Sequence, residues 1–548
     1  MTSPIDSHDV FNQSPPLAGY NVFAADQALG QAVDREGAGW ARPELEALGA
    51  LAGSAGAQEL GRLANRHEPT LHTHDRYGNR IDVVEYHPAY HDLMRTSLAH
   101  GLHAGPWAQP RPGAHVARAA KVIVWYQVDA GHICPVSMTY AVVPALRHQP
   151  EIAATWEPMI HSSVYDPANR PATQKDGVTC GMALTEKQGG SDVRANTTRA
   201  VPIGATAERA YSLSGHKWFC SAPMSDAFLM LAQAPGGISC FLTPRWRPDG
   251  TRNTIRIQRL KDKLGDRSNA SSEIELEDTW AQLIGEEGRG VRTIIEMVNH
   301  TRLDCVLGST AIMRQGVSQA TWHATHRAAF GKLLAEQPLM GNVLADLALE
   351  SEAATAAALR LARSFDAPAG DEEESLLRRL LTPIIKYWTC KRAPQHAAEA
   401  LECLGGNGFV EDSDLPRLFR QSPVNGVWEG SGNVICLDVL RVLAREPDAI
   451  AAYWTEVARA DGGNSHLSSA VDDLQVDLAD PATLEVQARA VVERMALVFQ
   501  ASLLVRFAPD WVADAFCASR LGGTGPGVFG SLPFGSDNDA IIDRHLPL

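Results

Sequence analysis

The sequence predicts an α+β multidomain protein with a helical domain, a barrel-like β domain, a helical bundle and a C-terminal helical extension. Its 548 residues exceed the size at which one hydrophobic core stops growing, so several domains are expected. The spacing of apolar residues changes from helical to strand-like near Cys180 and returns to helical after Gly290. A helical pattern also continues for most of the chain beyond Arg445.

Residues 1 to 40 show no sustained period, and we expect an extended arm that packs on the rest of the protein or on a neighbouring subunit. Residues 41 to 179 have leucines at helical spacing and predict an N-terminal α-helical domain. Residues 180 to 285 contain short alternating or apolar runs between Gly/Pro turns, which predict a β domain.

Residues 286 to 445 contain long Ala/Leu-rich runs that are apolar over much of the helix circumference, as in a helical bundle or a subunit interface. Residues 446 to 548 predict a further helical domain, which becomes Gly/Pro-rich from Gly522 onward. The acidic loop from Asp366 to Glu374 is interpreted as a solvated turn.

Composition excludes several classes of protein. Nine cysteines without close C-x-x-C pairs argue against a disulfide framework and a zinc site, so they are expected to be packing residues in a reducing compartment. His87 and His91 share a helical spacing, but Pro88 lies between them and no metal site is predicted. The N-terminus lacks a signal-peptide pattern and no apolar run reaches the roughly 18 residues of a membrane span, so we expect a cytoplasmic protein without membrane association.

The chain is acidic, with a net charge of -15, which repels polyanions overall. From Arg445 onward the C-terminal region has 7 arginines and no lysine against 15 acidic residues, a net charge of -8. Binding to nucleic-acid phosphates requires lysine and arginine, so this region is a poor DNA surface. Assembly of Arg378, Arg379 and Arg392 into a groove of an oligomer would restore one.

The turn Trp428-Glu429-Gly430-Ser431-Gly432-Asn433 precedes an apolar run that reads as a helix. Glycines allow a ligand to approach the backbone closely, so Glu429 is a candidate base aimed at a bound ligand. The same residues also fit a simple helix start, in which Ser431 or Asn433 caps the helix and the Glu429 carboxylate suits the helix dipole.

Three other stretches have chemistry that fits a ligand site. The first is a strand entering a glycine turn, with hydroxyls on either side, that can present N–H groups to a polar ring or phosphate; it contains Met182, Ala183, Leu184, Thr185, Gly189, Gly190 and Ser191. The second is strand-like and contains Phe219, Cys220 and Ser221. The third is Gly405-Gly406-Asn407-Gly408 after a long helix, for which a glycine C-cap is the alternative interpretation.

Five motifs occur in the order and approximate spacing of the acyl-CoA dehydrogenase family, which the chain resembles over residues 90 to 445. They are Thr185-Glu-x-x-x-Gly-Ser-Asp-Val, Gly215-x-Lys-x-Phe-x-Ser, Arg327-Ala-Ala-Phe330-Gly with Gln337, Gly405-Gly-Asn-Gly-Phe, and Glu429-Gly-Ser. Lys261-Asp-Lys-Leu-Gly, Arg267-Ser-Asn-Ala-Ser and Trp428-Glu-Gly-Ser-Gly-Asn are more closely similar to the AidB-like branch of that family, which is linked to the adaptive response to DNA alkylation.

The resemblance implies FAD as cofactor, the acyl-CoA dehydrogenase fold with an AidB-type C-terminal helical domain, and a homotetramer. It implies that Met182 to Ser191 line the flavin and the thioester, that Phe219, Cys220 and Ser221 lie along the flavin ring, and that Asn433 bonds the cofactor. It also implies cofactor contacts from Val427, Trp428, Gly430, Ser431, Gly432 and Leu437, and contacts from Arg327, Phe330, Gln337 and Gly406 to the FAD of a neighbouring subunit. The family's glutamine two residues before the paired glycines is replaced by Glu402 with Cys403 beside it, so that contact departs from the family pattern.

By the same resemblance, Glu429 removes the α-proton of an acyl-CoA thioester while a hydride leaves the β-carbon. Some branches carry the base just before an arginine on an earlier helix, but Asn299-His300-Thr301-Arg302 contains no acid. We therefore expect α,β-dehydrogenation of a short or branched acyl-CoA. The alternatives are a DNA-binding flavoprotein that protects double-stranded DNA from alkylation with weak dehydrogenase activity, and a catalytically silent flavin scaffold.

Overall fold

A computed structural model of the protein describes residues 10–204, 209–368, 370–479, 483–523 and 527–547. The architecture is mixed α/β, with an N-terminal helical domain, a β-barrel middle domain and a C-terminal helical domain. This order confirms the predicted fold class. No helix among the described residues combines the length and apolarity that crossing a bilayer would require.

The N-terminal part is helical, with one β-hairpin inserted. Its elements are α1 Gln27–Arg35, α2 Arg42–Ala52, α3 Ala55–Arg66, β1 Thr70–His74, β2 Arg80–Glu85, α4 Pro88–Ala99, α5 Gly105–Ala108, α6 Ala114–Tyr126, α7 Ile133–Leu146 and α8 Pro150–Ile160. Two sequence expectations fail here. The expected extended arm contains the helix α1, which Asp26 caps by accepting a hydrogen bond from Leu29 N, and the expected all-helical segment contains the β1–β2 hairpin.

The middle domain is a seven-stranded sheet in which five strands close into a barrel. The strands are β3 Cys180–Ala183, β4 Arg199–Pro202, β5 Ala210–Ser221, β6 Ala227–Ala234, β7 Gly237–Pro244, β8 Ile255–Leu260 and β9 Ser271–Ile284. Pairing runs β6–β4–β5–β9–β7 and returns to β6, while β3 pairs with β6 and β8 with β9. Closure leaves few free strand edges.

Strand β6 packs the barrel against the N-terminal helices. Its side chains alternate between two cores: Phe228 and Met230 pack in the larger core with the barrel interior, whereas Leu229 and Leu231 pack with α7 residues such as Val142. A strand buried on both faces reads as a continuous apolar run, as this one does. The barrel is therefore fastened to the N-terminal helices by one of its own strands.

The C-terminal domain is a bundle around the long helix α9, followed by the extension. Its elements are α9 Gly290–His326, β10 Ala328–Ala329, β11 Lys332–Leu333, α10 Pro338–Phe365, α11 Glu372–Cys403, α12 Gly406–Phe409, α13 Leu415–Gln421 and α14 Gly432–Arg445, then α15 Pro447–Ala458, α16 Ser465–Leu478, α17 Leu484–Phe507, α18 Asp510–Arg520 and α19 Asn538–Arg544. All nine cysteines are free and buried. The acidic loop before α11 is more than a solvated turn, since Asp366 accepts hydrogen bonds from His115 N and Val116 N at the start of α6.

Candidate active site

Glu429 lies in a strained turn between the 3-10 helix Val424–Gly426 and α14. Its φ is +59°, in the left-handed region, and Gly430 follows with a φ of +108°. A non-glycine residue seldom adopts this conformation, which costs of order 1–3 kcal/mol and persists only where the surrounding structure enforces it. The groups bonded to this turn therefore have to enforce its conformation.

Two cations from different helices bind the backbone of this turn. Lys386 Nζ of α11 donates to Trp428 O at 2.9 Å and to Gly430 O at 2.5 Å, and Arg302 Nε of α9 donates to Glu429 O at 3.1 Å. Three consecutive carbonyl oxygens are thus occupied. Lys386 is only 1% exposed, so its ammonium bonds are shielded from water.

The two cations differ in how their charge is balanced. Arg302 forms a buried ion pair with Asp438 of α14, with Nη1 and Oδ2 2.8 Å apart. Burial favours protonation of Asp438, but Arg302 and Arg379 outweigh it and lower the pKa of that carboxyl. Lys386 has no carboxylate within ion-pair distance among the described residues, and its charge lowers the pKa of the Glu429 carboxyl. Lys386 therefore leaves its charge available to Glu429.

The carboxyl of Glu429 is the most chemically distinctive group of the turn. Burial raises its pKa to about 7, while a hydrogen bond with Thr301 and the charges of Arg302 and Lys386 act in the opposite direction. A carboxyl with this pKa is both available as a carboxylate near neutral pH and a stronger base than an ordinary glutamate. Thr301 occupies the earlier helix position at which the sequence contains no acid.

On the barrel side, the glycine turn after β3 is fastened to β5. Trp218 N donates to Thr185 O at 2.8 Å, and a buried ion pair joins Glu186 to Lys217, with Oε1 and Nζ also 2.8 Å apart. Burial alone would favour protonation of Glu186, but Lys217 holds the pKa of this carboxyl far below its usual range. The Thr185 turn and the end of β5 therefore act as one rigid wall.

The end of β5 presents one face of its side chains outward. Phe219 is 50% exposed and Ser221 is partly buried, whereas Cys220 between them is fully buried. This alternation is that of a strand whose two faces meet different environments. Because the Cys220 and Ala183 side chains both lie in the core, only their backbone atoms are available to a ligand.

Cys134, at the start of α7, lies where the barrel and the bundle meet. Burial raises the pKa of its thiol to about 12; a hydrogen bond with Ser221 acts in the opposite direction and the Glu429 carboxylate in the same direction. The end of β5 and the turn Trp428-Glu429-Gly430, which we call the base turn, are thus both neighbours of the Cys134 side chain. The structure brings Ser221 and Glu429 together although 208 positions of the sequence separate them.

The remaining residues of the turn lie around the N-terminus of α14. Trp428 Nε1 donates to Asn425 Oδ1 at 3.0 Å, which orients the indole. Val427 is 65% exposed and Leu437 is 42% exposed, so both apolar side chains face outward. Gly432 and Asn433 form the first turn of α14, whose free N–H groups suit an oxygen-rich ligand.

Arg327, Phe330, Gln337 and Gly406 form a separate group. Arg327 Nη1 donates to Asn12 O at 2.5 Å, Gln337 Nε2 donates to Ala329 O at 3.1 Å, and Phe330 at the tip of the β10–β11 hairpin is fully exposed. The described hydrogen bonds and ion pairs do not connect these four residues to Glu429 or to β5 within the same chain. They form an outward-facing surface.

Sequence reasoning missed Lys386, Thr301 and Cys134. Lys386 carried a readable signal, because a lysine inside the apolar run Ile384-Ile385-Lys386-Tyr387-Trp388 needs polar partners once the helix is buried. Thr301 and Cys134 carried none, because small polar residues in helices usually bond to their own backbone.

Family models match most of the chain. They are the adaptive response protein AidB N-terminal domain over residues 12–167, the acyl-CoA dehydrogenase middle domain over 181–279, and the acyl-CoA dehydrogenase C-terminal domain over 288–444. The chain is 46% identical to the AidB protein of Escherichia coli K12 over 520 residues, which is 94% of each protein. It is 29% identical to acyl-CoA dehydrogenase family member 11 of Caenorhabditis elegans, over 83% of this chain and 78% of the relative.

Solved structures of acyl-CoA dehydrogenases have a similar fold. The crystal structure of Caenorhabditis elegans ACDH-11 in complex with C11-CoA superposes with a TM-score of 0.85 at 27% identity, covering 98% of this chain and 93% of that one. A glutaryl-CoA dehydrogenase from Mycobacterium smegmatis, in complex with FADH2, superposes with a TM-score of 0.53 at 20% identity, covering 64% and 86% of the two chains. The second likeness shows the shared fold alone.

Proposed function

Because the chain belongs to the acyl-CoA dehydrogenase family, in its AidB-like branch, we propose that it is an FAD-dependent flavoprotein that dehydrogenates a short or branched acyl-CoA with Glu429 as the base. The observation that carries this proposal is the carboxyl of Glu429, with a pKa raised to about 7, on a turn bound by Lys386 and Arg302. The ACDH-11 relative has been crystallised with an acyl-CoA, which supports the substrate class.

The residues present suit FAD, on which the family depends. Phe219 offers a half-exposed aromatic face for a flat ring, and Ser221 beside it offers a hydroxyl. Gly189 and Gly406 have open space within 4 Å of the position of a Cβ, and Gly189 has a φ of +148° that side chains disfavour. Such turns let a phosphate or ring edge approach the backbone closely. The exposed Val427 and Leu437 would be covered by a bound cofactor.

We assign FAD binding to the residues that match the motifs of the family. Thr185, Ser191 and Ser221 supply hydroxyls, Phe219 the ring contact, and Asn433 at the start of α14 a side-chain amide. Arg327, Phe330, Gln337 and Gly406 face outward and would serve the cofactor of a second subunit in a homotetramer. The full exposure of Phe330 and the 78% exposure of Phe409 support an interface there.

The chemistry that FAD supplies when bound is acceptance of the hydride that leaves the β-carbon of the substrate. A carboxylate oxygen of Glu429 takes the α-proton, so the acyl group loses one proton and one hydride and gains a double bond. Lys386 and Arg302 hold the Glu429 backbone in place through their carbonyl bonds during this transfer. The raised pKa of Glu429 suits a base that must remove a weakly acidic proton.

The DNA-binding alternative finds less support in the structure. Five of the six arginines of the extension form ion pairs with carboxylates: Arg459, Arg494, Arg506, Arg520 and Arg544. Arg392, a candidate for a positive groove, is buried against Glu350. Arginines neutralised in this way contribute little to phosphate binding. Salt-dependent binding of a 200-base-pair duplex at physiological ionic strength would restore this alternative.

The test is anaerobic addition of isovaleryl-CoA, with butyryl-CoA and hexanoyl-CoA in parallel, to the flavin-containing protein. We expect the flavin absorbance to bleach in the wild type. The Glu429→Gln variant should keep its flavin and bleach about 10²- to 10⁴-fold more slowly, the usual contribution of a general base. If none of the three thioesters bleaches the wild type, or if Glu429→Gln bleaches at the wild-type rate, the proposal is wrong.

A further inference from the structure

A cleft adjoins the N-terminal turn of α7 at Pro135. It has a volume of about 560 Å³ between β2, α4 and the end of the barrel. Its walls include Tyr86, Tyr90, His91, Tyr165, Met224 and Ser225, and we call it the tyrosine cleft. Neither Glu429, Trp428 nor the Thr185 turn lines it. The volume is within the range of small-molecule sites, roughly 300–1,000 Å³.

Aromatic rings form one wall of the tyrosine cleft. Tyr86 and Tyr90 stack with ring centroids 4.3 Å apart, and His91 meets both edge-on at 6.0 and 5.8 Å. The ring of Tyr165 lies 5.8 Å from that of His91. Burial lowers the pKa of His91, so its imidazole is neutral at physiological pH. A wall of neutral rings favours a flat aromatic ligand.

Two hydroxyls of the lining have no hydrogen-bond partner. Tyr86 OH and Ser225 Oγ are both buried and unpaired, whereas Tyr165 OH is bonded with His91 Nδ1 at 3.0 Å. Buried hydroxyls are nearly always paired, and an unpaired one destabilises the fold. Two such groups in one cleft indicate that its occupant contributes an acceptor atom.

The charges around the cleft select against charged ligands. Glu85 and Asp166 belong to the lining, and the one lysine there, Lys175, is bound to Asp226 with Nζ and Oδ1 2.8 Å apart. Glu85 is bonded with His72 Nε2 at 3.0 Å and Asp166 is paired with the Arg170 guanidinium at 2.7 Å, so the charged groups of the lining already have partners. Neither an anion, such as a CoA or nucleic-acid phosphate, nor a cation would find an unpaired counter-charge among these lining residues. The occupant is therefore neutral.

We propose that the tyrosine cleft is a second ligand site, which binds a neutral, flat aromatic molecule through an acceptor oxygen such as a carbonyl. Tyr86 and Ser225 donate to that oxygen, and the stacked tyrosines and Met224 contact the ring. The site is separate from the acyl thioester site proposed above, and it does not depend on whether that proposal is correct.

Coumarin, a neutral aromatic lactone, is the probe, and coumarin-3-carboxylate, which adds a negative charge to the same ring, is its matched control. Binding to the full-length flavin-containing protein is measured by saturation-transfer NMR and calorimetry. We expect saturable binding of coumarin, and binding of coumarin-3-carboxylate at least tenfold weaker. Absence of saturable coumarin binding, or stronger binding of the carboxylate, overturns the proposal.

Three variants locate the site. Tyr86→Phe removes one hydroxyl and keeps the ring, and it should weaken coumarin binding about five- to tenfold. Ala168→Trp fills the exposed mouth of the cleft without touching the core, and it should abolish binding. Glu429→Gln should leave binding unchanged. Coumarin binding that survives Ala168→Trp, or that is lost with Glu429→Gln, overturns the proposal.

Discussion

The turn that carries Glu429 and the extension after Arg445 both bury carboxyl groups beside cations, but the two regions use the cations differently. In the base turn, Lys386 and Arg302 bond to backbone carbonyls, and the pKa of Glu429 is raised to about 7. At the contact between the extension and α10, arginine guanidinium groups form ion pairs with the carboxylates themselves. Burial alone would raise the pKa of Glu456 and Glu352, but Arg360, Arg544 and His545 outweigh it, and both pKa values fall to about 2.

The comparison shows that burial alone does not decide the ionisation of a carboxyl. Burial raises the pKa of all three carboxyls, and the pKa falls only where the neighbouring cations bond to the carboxylate itself. Carboxylates gripped by arginine hold the extension on α10 and α11 and stay charged. A carboxyl whose neighbouring cations are occupied by the backbone keeps an elevated pKa and can exchange a proton near neutral pH. The first arrangement fastens an added domain, and the second prepares a base.

The largest expected effect comes from removing a buried arginine of the extension from its ion pairs. Arg520, 4% exposed, bonds to Asp346 and Glu350 of α10. Arg520→Met leaves the buried carboxylate of Asp346 without a counter-charge and leaves Glu350 with Arg392 alone, so it should destabilise the protein by about 3–5 kcal/mol in urea unfolding. Arg459→Met is the control, because its ion pair with Glu456 is 44% exposed on the arginine side and should cost less than about 1 kcal/mol. Equal losses in the two variants would contradict this account.

The next effect comes from the buried lysine of the base turn. Lys386→Met removes two backbone bonds and a cation near Glu429, so the pKa of Glu429 should rise and the turn should loosen. We expect flavin bleaching by isovaleryl-CoA to slow about 10- to 100-fold at pH 7, with the apparent pKa of the rate shifted upward. Arg445→Met, which removes an exposed cation at the C-terminal end of α14, should keep the wild-type pH profile. An unshifted profile in Lys386→Met would show that the lysine has only a structural role.

Glu429 and Glu352 should affect the stability of the protein in opposite ways as the pH changes. The folded pKa of Glu429, about 7, lies above its ordinary 4.5, so the ionised carboxyl destabilises the fold fully above pH 7 and not at all below pH 4.5. Since Glu429 keeps partial exposure, Glu429→Gln should gain about 1–2 kcal/mol over the wild type at pH 8.5 and nothing at pH 4.5.

Glu352 of α10 and Glu456 of the extension, which form the ion pairs between these two parts, have lowered pKa values. Their contribution to stability is present above about pH 4.5 and is lost as the pH falls toward 2. Glu352→Gln should therefore destabilise the protein at pH 7, and its deficit should shrink as the pH falls below 4.5. Urea unfolding of both variants across this pH range provides the measurement. The same sign for both variants at pH 8.5 would refute the comparison.

The smallest expected effect is at Thr301. Thr301→Val removes the hydrogen bond that lowers the pKa of Glu429, so the apparent pKa of bleaching should rise by less than about one unit. The rate should fall at pH 6.5 and stay unchanged at pH 9. Thr310→Val on the same helix, whose hydroxyl bonds to Val306 O, is the control and should not shift the profile. A downward shift in Thr301→Val would contradict the assigned direction.

Local pattern was sufficient for the order of helices and strands, because periodicity reports which face of each segment is buried. It failed at the β1–β2 hairpin, whose alternation is short and interrupted by polar residues such as His72 and Thr73, and at α1 within the expected arm. The candidate residues of the site came from family resemblance, since Glu429 and its glycines alone also fit a helix start. The cofactor roles of those residues stay predictions.

The sequence by itself determined the fold class, the acidic balance of the extension and the candidate base, because these depend on spacing, composition and short motifs. Only the tertiary structure decided that Lys386 and Arg302 bond to the backbone around Glu429 and leave its carboxyl with a raised pKa. It also decided that arginines of the extension are bound by carboxylates of α10 and that two residues with unpaired hydroxyls, Tyr86 and Ser225, line the tyrosine cleft. Ionisation and hydrogen bonding depend on the positions of groups that lie far apart in the chain, and one segment's sequence carries no record of them.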